Sequence, residues 1–319
     1  MNYDLFNGDA DGICALLQLR LAQPLEARLV TGVKRDINLL SRIEPAAGDR
    51  ITVLDVSMDK NKEALDKALE AGAEVFYVDH HFPGDIPQHA GLTAIINEAA
   101  DVCTAALVNG HLGGAHLDWA VTGAFGDNLK DTAHTLARGL DISNADLSAL
   151  QRLGVCINYN GYGPSIEDLH FDPELLYRRL LAAGSALEFV TASEDFVRLS
   201  EGYDADMAQA EALQPMHETE AVAAFILPDE PWARRVSGVY SNDLATAHPD
   251  RGHAVLTRKA NGNYLVSVRA PMNNKQGAAQ LCMQFPTGGG RAAAAGINDL
   301  AAEDLDRFMA AFAEAYAAC

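Results

Sequence analysis

The chain has 319 residues, 49% of them hydrophobic, and a formal net charge of −20. That length leaves room for two domains with ample core. The charge argues against a long Lys/Arg track for duplex DNA or a polynucleotide, and leaves a small anionic substrate, met by a metal and a few cations, compatible.

Five cysteines, Cys14, Cys103, Cys156, Cys282 and Cys319, are odd in number and lack CxxC spacing, which indicates neither a disulfide framework nor a zinc knuckle. The N-terminus meets Asp4 without a basic and then apolar leader, and no stretch reads as a membrane span. A cytoplasmic location and no membrane partner are expected.

In chain order, Tyr3 to Phe6 reads as a strand running into Asn7-Gly8-Asp9-Ala10-Asp11-Gly12. From Asp11, the apolar spacing Ile13, Leu16, Leu17, Leu19, Leu21 predicts a buried crossover helix. A second strand is expected over 27–34, a short helix from Asp36 to Ile43, a third strand from Ile51 ending at Asp55, and an amphipathic helix from Lys60 to Ala71. Val75-Phe76-Tyr77-Val78 is an apolar, β-branched and aromatic run that reads as a buried parallel strand. Asp79-His80-His81 follows it. Leu92 to Asn97 makes one more strand, and a helix starts near Thr104. The alternation of strand and helix predicts a parallel, right-handed, doubly wound sheet.

Three strand ends thus converge on acids and imidazoles, at the place where open α/β sheets bind ligands. Clustered carboxylates repel and lose water, so they imply a cation. Oxygen and imidazole donors favour Mn2+ or Mg2+, with Zn or Co possible, over Fe–S or a structural zinc.

From Leu117 to about Leu187 the chain reads as helical, with interruptions at 123–128, which carries Asp127, and at 158–164, which carries Tyr159 and Tyr162. Those tyrosines suit either base stacking or an interhelical turn. A long polar helix from Leu187 to Leu213 would connect to a second, smaller α/β domain. There Val222 to Leu227, Ala233 to Tyr240, Ala254 to Thr257 and Tyr264 to Arg269 read as short strands, followed by an Ala-rich helix over 302–317. Between them, Gly288-Gly289-Gly290-Arg291 reads as a glycine-rich loop entering a helix. Its backbone N–H groups, with Arg291 and more weakly Arg269, would suit an anion or, equally, a tight structural turn. The expected domains are 1–186, a connector at 187–217, and 218–319.

With these motifs assembled, the chain resembles the DHH phosphoesterase family with a C-terminal DHHA1 domain. Asp9-Ala10-Asp11-Gly12 is similar to its first motif, Asp55 to its second, Asp79-His80-His81 to the triplet that names it, and Asp127 to its fourth. Gly288 to Gly290 with Ala294-Ala295-Gly296 resembles the DHHA1 glycine signature. The resemblance implies two Mn2+ or Mg2+ ions in a cleft between the domains. Asp9 and Asp55 would hold the first ion, and Asp11, Asp55, His80 and Asp127 the second. It further implies in-line attack of a metal-bound hydroxide on phosphorus, with His81 touching the phosphoryl group or leaving oxygen and Asp79 orienting a histidine. Three positions depart from the pattern: Leu5 where several branches carry His, Asn7 where nuclease-type members carry an acid, and Arg291 where oligonucleotide-cleaving members commonly carry His.

The activity so implied is hydrolysis of a short oligonucleotide, a dinucleotide or a nucleotide bisphosphate. The alternatives are an exopolyphosphatase or pyrophosphatase, and a non-catalytic nucleotide-binding protein with a weakened first metal site. The substrate-side partner is a small phosphorylated molecule or short single strand, without duplex DNA. Lys34-Arg35 would serve the substrate or the surface, and the oligomeric state is open, a homodimer included.

Overall fold

The structure, a computed structural model, describes residues 1–317. Cys319 lies outside them, and Cys14, Cys103, Cys156 and Cys282 are buried free thiols. The chain divides into two compact units, Met1–Gly202 and the remainder from Tyr203.

Among the described residues of the first unit, β1 (Asn2–Phe6), β2 (Arg28–Val30), β3 (Arg50–Leu54), β4 (Glu74–Asp79) and β5 (Leu92–Ile96) form a parallel sheet in the order β2-β1-β3-β4-β5. Its helices are α1 (Ala10–Ala22), α2 (Met58–Glu70), α3 (Thr104–His111), α4 (Leu117–Gly126), α5 (Lys130–Ala137), α6 (Asn144–Asn160), α7 (Pro173–Ala183), α8 (Ala186–Ala192) and α9 (Glu194–Glu211), which runs on past Gly202. Side chains alternate across a strand. Tyr3, Leu5, Ile51, Val53, Val75 and Tyr77 accordingly share one core with Leu65, Ala68 and Leu69 of α2. On the opposite face Asp4 takes both Nε and Nη2 of Arg20 from α1, at 2.7 and 2.5 Å, and Arg20 also reaches Thr52 at 3.1 Å. The sheet is therefore covered on both faces, as doubly wound folds require. The chain order reverses between β1 and β3, which puts the topological switch point at their C-terminal ends.

The second unit holds β6 (His217–Glu218), β7 (Val222–Leu227), α10 (Pro231–Ala247), β8 (Gly252–Arg258), β9 (Tyr264–Arg269), α11 (Ala278–Cys282), β10 (Gly288–Gly290), β11 (Ala294–Leu300) and α12 (Leu305–Tyr316). Its mixed sheet runs β10-β11-β9-β8-β7-β6, with β7 and β8 parallel and the other pairs antiparallel. Val266, Val268, Ile297, Phe285, Phe308, Phe312 and Tyr316 share its core.

Several expected elements differ. The span 27–34 contains only the short β2, and Asp36 to Ile43 contains only a 3-10 turn at Leu40–Arg42. There the Asn61 side chain donates to Ile37 O and accepts from Leu40 N–H, competing with helical bonding. Gly123 and Gly126 do not interrupt α4. Cβ atoms there would lie 2.6 Å from Ala105 Cβ and 2.2 Å from Ala10 Cβ, so these glycines let helices touch. The expected single helix from Leu187 is broken at Ser193, which is extended and whose Oγ accepts from Asp195 N–H. Ala233 to Tyr240 is helical, started by Pro231 and burying Ala233, Val236, Ser237 and Tyr240 at helical spacing.

The glycine signature is a β-hairpin, not a loop entering a helix. Gly289 pairs with Gly296, and Arg291 and Ala294 bond each other's backbones across the turn. A Cβ at Gly288 would lie 1.8 Å from Cys282 O, so close packing explains that glycine. The helix dipole expected at this place is absent.

Candidate metal centre

Each chemical side chain of the first unit is placed by a strand end or helix end. Asp9 follows β1 and caps α1, its Oδ1 accepting from Asp11 and Gly12 N–H at 3.1 Å. Asp11, in the first turn of α1, reaches the start of α3, where Thr104 and Ala105 N–H each donate to it at 2.7 Å. Helix N-termini favour a carboxylate. Asp55 follows β3 with φ of +58°, a left-handed conformation that Asp tolerates better than most residues. Its Oδ1 accepts from the Thr104 hydroxyl at 3.2 Å. Asp79 ends β4, and Asp127 is the C-cap of α4.

The focus of the cluster is His80. Its Nδ1 stands 2.9 Å from Val102 O, so the ring donates there and turns the Nε2 lone pair inward. Nε2 lies 3.5 Å from Asp55 Oδ1, 3.9 Å from Asp11 Oδ2 and 4.0 Å from Asp127 Oδ2. Two overlapping donor sets, Asp11-His80-Asp127 and Asp55-His80-His81, each lie within 4.8 Å. A histidine whose second nitrogen is fixed by a carbonyl is the usual arrangement of a metal ligand. Burial, then repulsion from Asp11, Asp9, Asp79 and Asp127, drives Asp55 well above the usual carboxylate range. Burial also pushes Asp127 up to about 6, against the pull of Lys34 and His80. A divalent cation would reverse both penalties, and the donor chemistry fits one.

His81 sends Nδ1 to Asp79 Oδ1 at 2.7 Å, with its side chain 39% exposed. Burial opposes its charge, but the hydrogen bond and field of Asp79 prevail and raise its pKa. Asp79 is fully buried and meets the half-exposed His81 ring from beneath the surface.

Asp9 is absent from both donor sets. The Lys34 ammonium holds its Oδ2 and also donates to Asn158 Oδ1 at 2.9 Å. Burial works against both charges, yet each stabilises the other, lowering the pKa of Asp9 and raising that of Lys34 well above its ordinary value. Asn7 accepts from Asp9 N–H at 3.2 Å and donates to Lys34 O at 3.2 Å, while Leu5 is core. Arg35 is exposed. The sequence alone leaves Lys34 between a role at the substrate and a role on the surface. Thr104 and Val102 carry no signal there beyond a helix start.

The segment 158–163 is partly helical, and the two tyrosines in it are placed differently, Tyr162 being half-buried with its ring centroid 5.5 Å from Lys34 Nζ. Asn158 to Asn160 end α6, and Tyr159 is fully buried with its hydroxyl 2.7 Å from His170 Nε2. Asn160 is bonded to the Phe171 backbone. In the second unit, Ala294 pairs with Arg269, which places Arg269 and the Arg291 turn at one end of the sheet. Arg269 donates to Asn242 Oδ1 at 2.8 Å, and Arg291 is exposed.

No protein-family model matches the chain, and neither does any curated protein. Solved structures do. RecJ of Thermus thermophilus in complex with Mn2+ matches with a TM-score of 0.67 at 18% identity, over 98% of this chain and 52% of that one. The chain thus spans about half the length of that protein. A manganese-bound exonuclease RecJ gives 0.63 at 19%, over 98% and 89%. The pGpG-specific phosphodiesterase PggH of Vibrio cholerae gives 0.59 at 16%, over 99% of both chains. At such identities the likeness establishes the fold, which is that of DHH/DHHA1 proteins.

Proposed function

We propose that this chain is a metal-dependent phosphoesterase acting on a small phosphorylated substrate, namely a short oligonucleotide, a dinucleotide or a nucleotide bisphosphate. The observation that carries the proposal is the convergence of Asp11, Asp55 and Asp127 on the free nitrogen of His80 at the switch point of the sheet. These four residues would hold Mn2+ or Mg2+. When bound, such an ion supplies Lewis-acid polarisation of a phosphoryl oxygen and makes water a competent nucleophile near neutral pH.

The remaining steps belong to the chain's own side chains. Asp79 orients His81 and favours its charged form, so that its other ring nitrogen can face a phosphoryl oxygen or a departing alkoxide. Thr104 fixes Asp55 through its hydroxyl, and the start of α3 fixes Asp11. Arg269 and Arg291 offer forked donors suited to substrate phosphates, Arg291 through its exposed side chain. The acidity of the whole chain disfavours processive travel along a polynucleotide, which supports the small-substrate assignment. The pGpG specificity of PggH and the exonuclease activity of RecJ are compatible with it.

The test is release of mononucleotide or phosphate from dinucleotides, 3′,5′-bisphosphates, polyphosphate and pyrophosphate, with Mn2+ and with chelator. Mn2+-dependent turnover of the nucleotides is expected. Turnover of polyphosphate or pyrophosphate alone would move the substrate class, and inactivity on every class would reject the phosphoesterase assignment.

A further inference from the structure

Building on the metal-centre proposal above, we propose that Lys34 is the resident cation of the Asp9 side of the centre. The chain would then bind one divalent ion where the resemblance implies two. Asp9 Oδ1 caps α1 and its Oδ2 meets the Lys34 ammonium, whereas Asp11 and Asp55 accept only from N–H and hydroxyl groups, so Asp9 already faces a full positive charge and they do not. The lysine is not a loose surface chain that an ion could push aside. Its N–H donates to Gly161 O at 2.8 Å, its carbonyl accepts from Asn7 at 3.2 Å, its ammonium also donates to Asn158, and the Tyr162 ring centroid lies 5.5 Å from Nζ. Segments after β1, after β2 and at the end of α6 therefore cooperate to hold one ammonium against one carboxylate.

The two departures near β1 agree with this. Asn7 is neutral and spends its amide on positioning Lys34 and Asp9, and Leu5 is buried apolar core, so neither position offers a metal ligand. On the other side, His80 turns its remaining nitrogen to Asp11, Asp55 and Asp127, where the one ion would sit. Electrostatics then decides the count. A dication placed beside the ammonium is repelled by it with twice the force that a single charge would feel. Substitution of the lysine should open the place it fills.

The experiment is Mn2+ stoichiometry by equilibrium dialysis with elemental analysis, with electron paramagnetic resonance of the same samples. Wild type is expected to bind one Mn2+ with the spectrum of an isolated ion. Lys34→Met, its fold checked by circular dichroism, should bind two, and Lys34→Arg one. Two ions on wild type would overturn the inference and leave the phosphoesterase assignment standing if turnover is seen. One ion on folded Lys34→Met would also overturn it, because the lysine would then displace nothing. No ion on wild type would overturn both. If Lys34→Met does not fold, the wild-type count alone decides.

Discussion

Asp55 does two jobs with one side chain, and they separate by substitution. It faces His80 as a prospective ligand, and it holds a left-handed backbone. Asp55→Asn keeps a residue type that accepts positive φ, whereas Ala does not, so Asp55→Ala is expected to lose about 1 kcal/mol more stability in urea titrations. Both should abolish phosphoester turnover. Thr104→Val removes the hydroxyl bonded to Asp55 and should weaken Mn2+ affinity on the order of 10-fold, measured by titration calorimetry. The acids and histidines of this site were legible in the sequence because each ends an apolar strand or sits in a short motif. Thr104 and Lys34 were not. Their roles depend on a hydrogen bond and an ion pair to Asp55 and Asp9, which are distant in sequence, and neither type is a usual metal ligand.

The elements show a similar divide. Strands of the parallel sheet are continuous apolar runs and announce themselves, but α10 reads as a strand in the sequence because Val236, Val239 and Tyr240 are β-formers placed at helical spacing. The hairpin of Gly288 to Gly296 was hidden because glycine carries no pattern. Tyr159 is a buried brace between α6 and the segment before α7 rather than a base platform. Tyr159→Phe is therefore expected to cost about 1 kcal/mol of stability and leave KM for a nucleotide unchanged; a raised KM would return the residue to the site. The β1–α1 brace should matter more. Arg20→Leu strands the buried Asp4 carboxylate and should cost about 3–5 kcal/mol, much of it recovered by combining it with Asp4→Leu, as read from denaturation midpoints.

At the scale of the whole molecule, the two-part α/β plan was legible from the order of strands and helices, while the pairing of strands in the second unit had no counterpart in the sequence pattern. That unit carries an acid-sensitive point in β8. His253 is buried, and burial, then repulsion from Arg251 and His248, lowers its pKa to about 4 against the pull of an Arg251 backbone hydrogen bond and of Glu218. The unfolded chain takes the proton from about pH 6.5 downward while the folded one stays neutral, so stability is full above that value and declines toward pH 4. His253→Leu should remove about 2 kcal/mol of that decline between pH 7.5 and 5, seen as a smaller shift in urea midpoint.

Every prospective metal ligand lies before Gly202, on the side of the chain that holds the parallel sheet. Ion binding is then also a selective thermal stabiliser. At free Mn2+ a hundred times its Kd, the linkage is worth about 2.7 kcal/mol to whatever unfolds with the site. In calorimetric scans the transition that melts residues 1–202 should rise with Mn2+ and fall with chelator. Heat alone would then report loading of the centre, without any substrate.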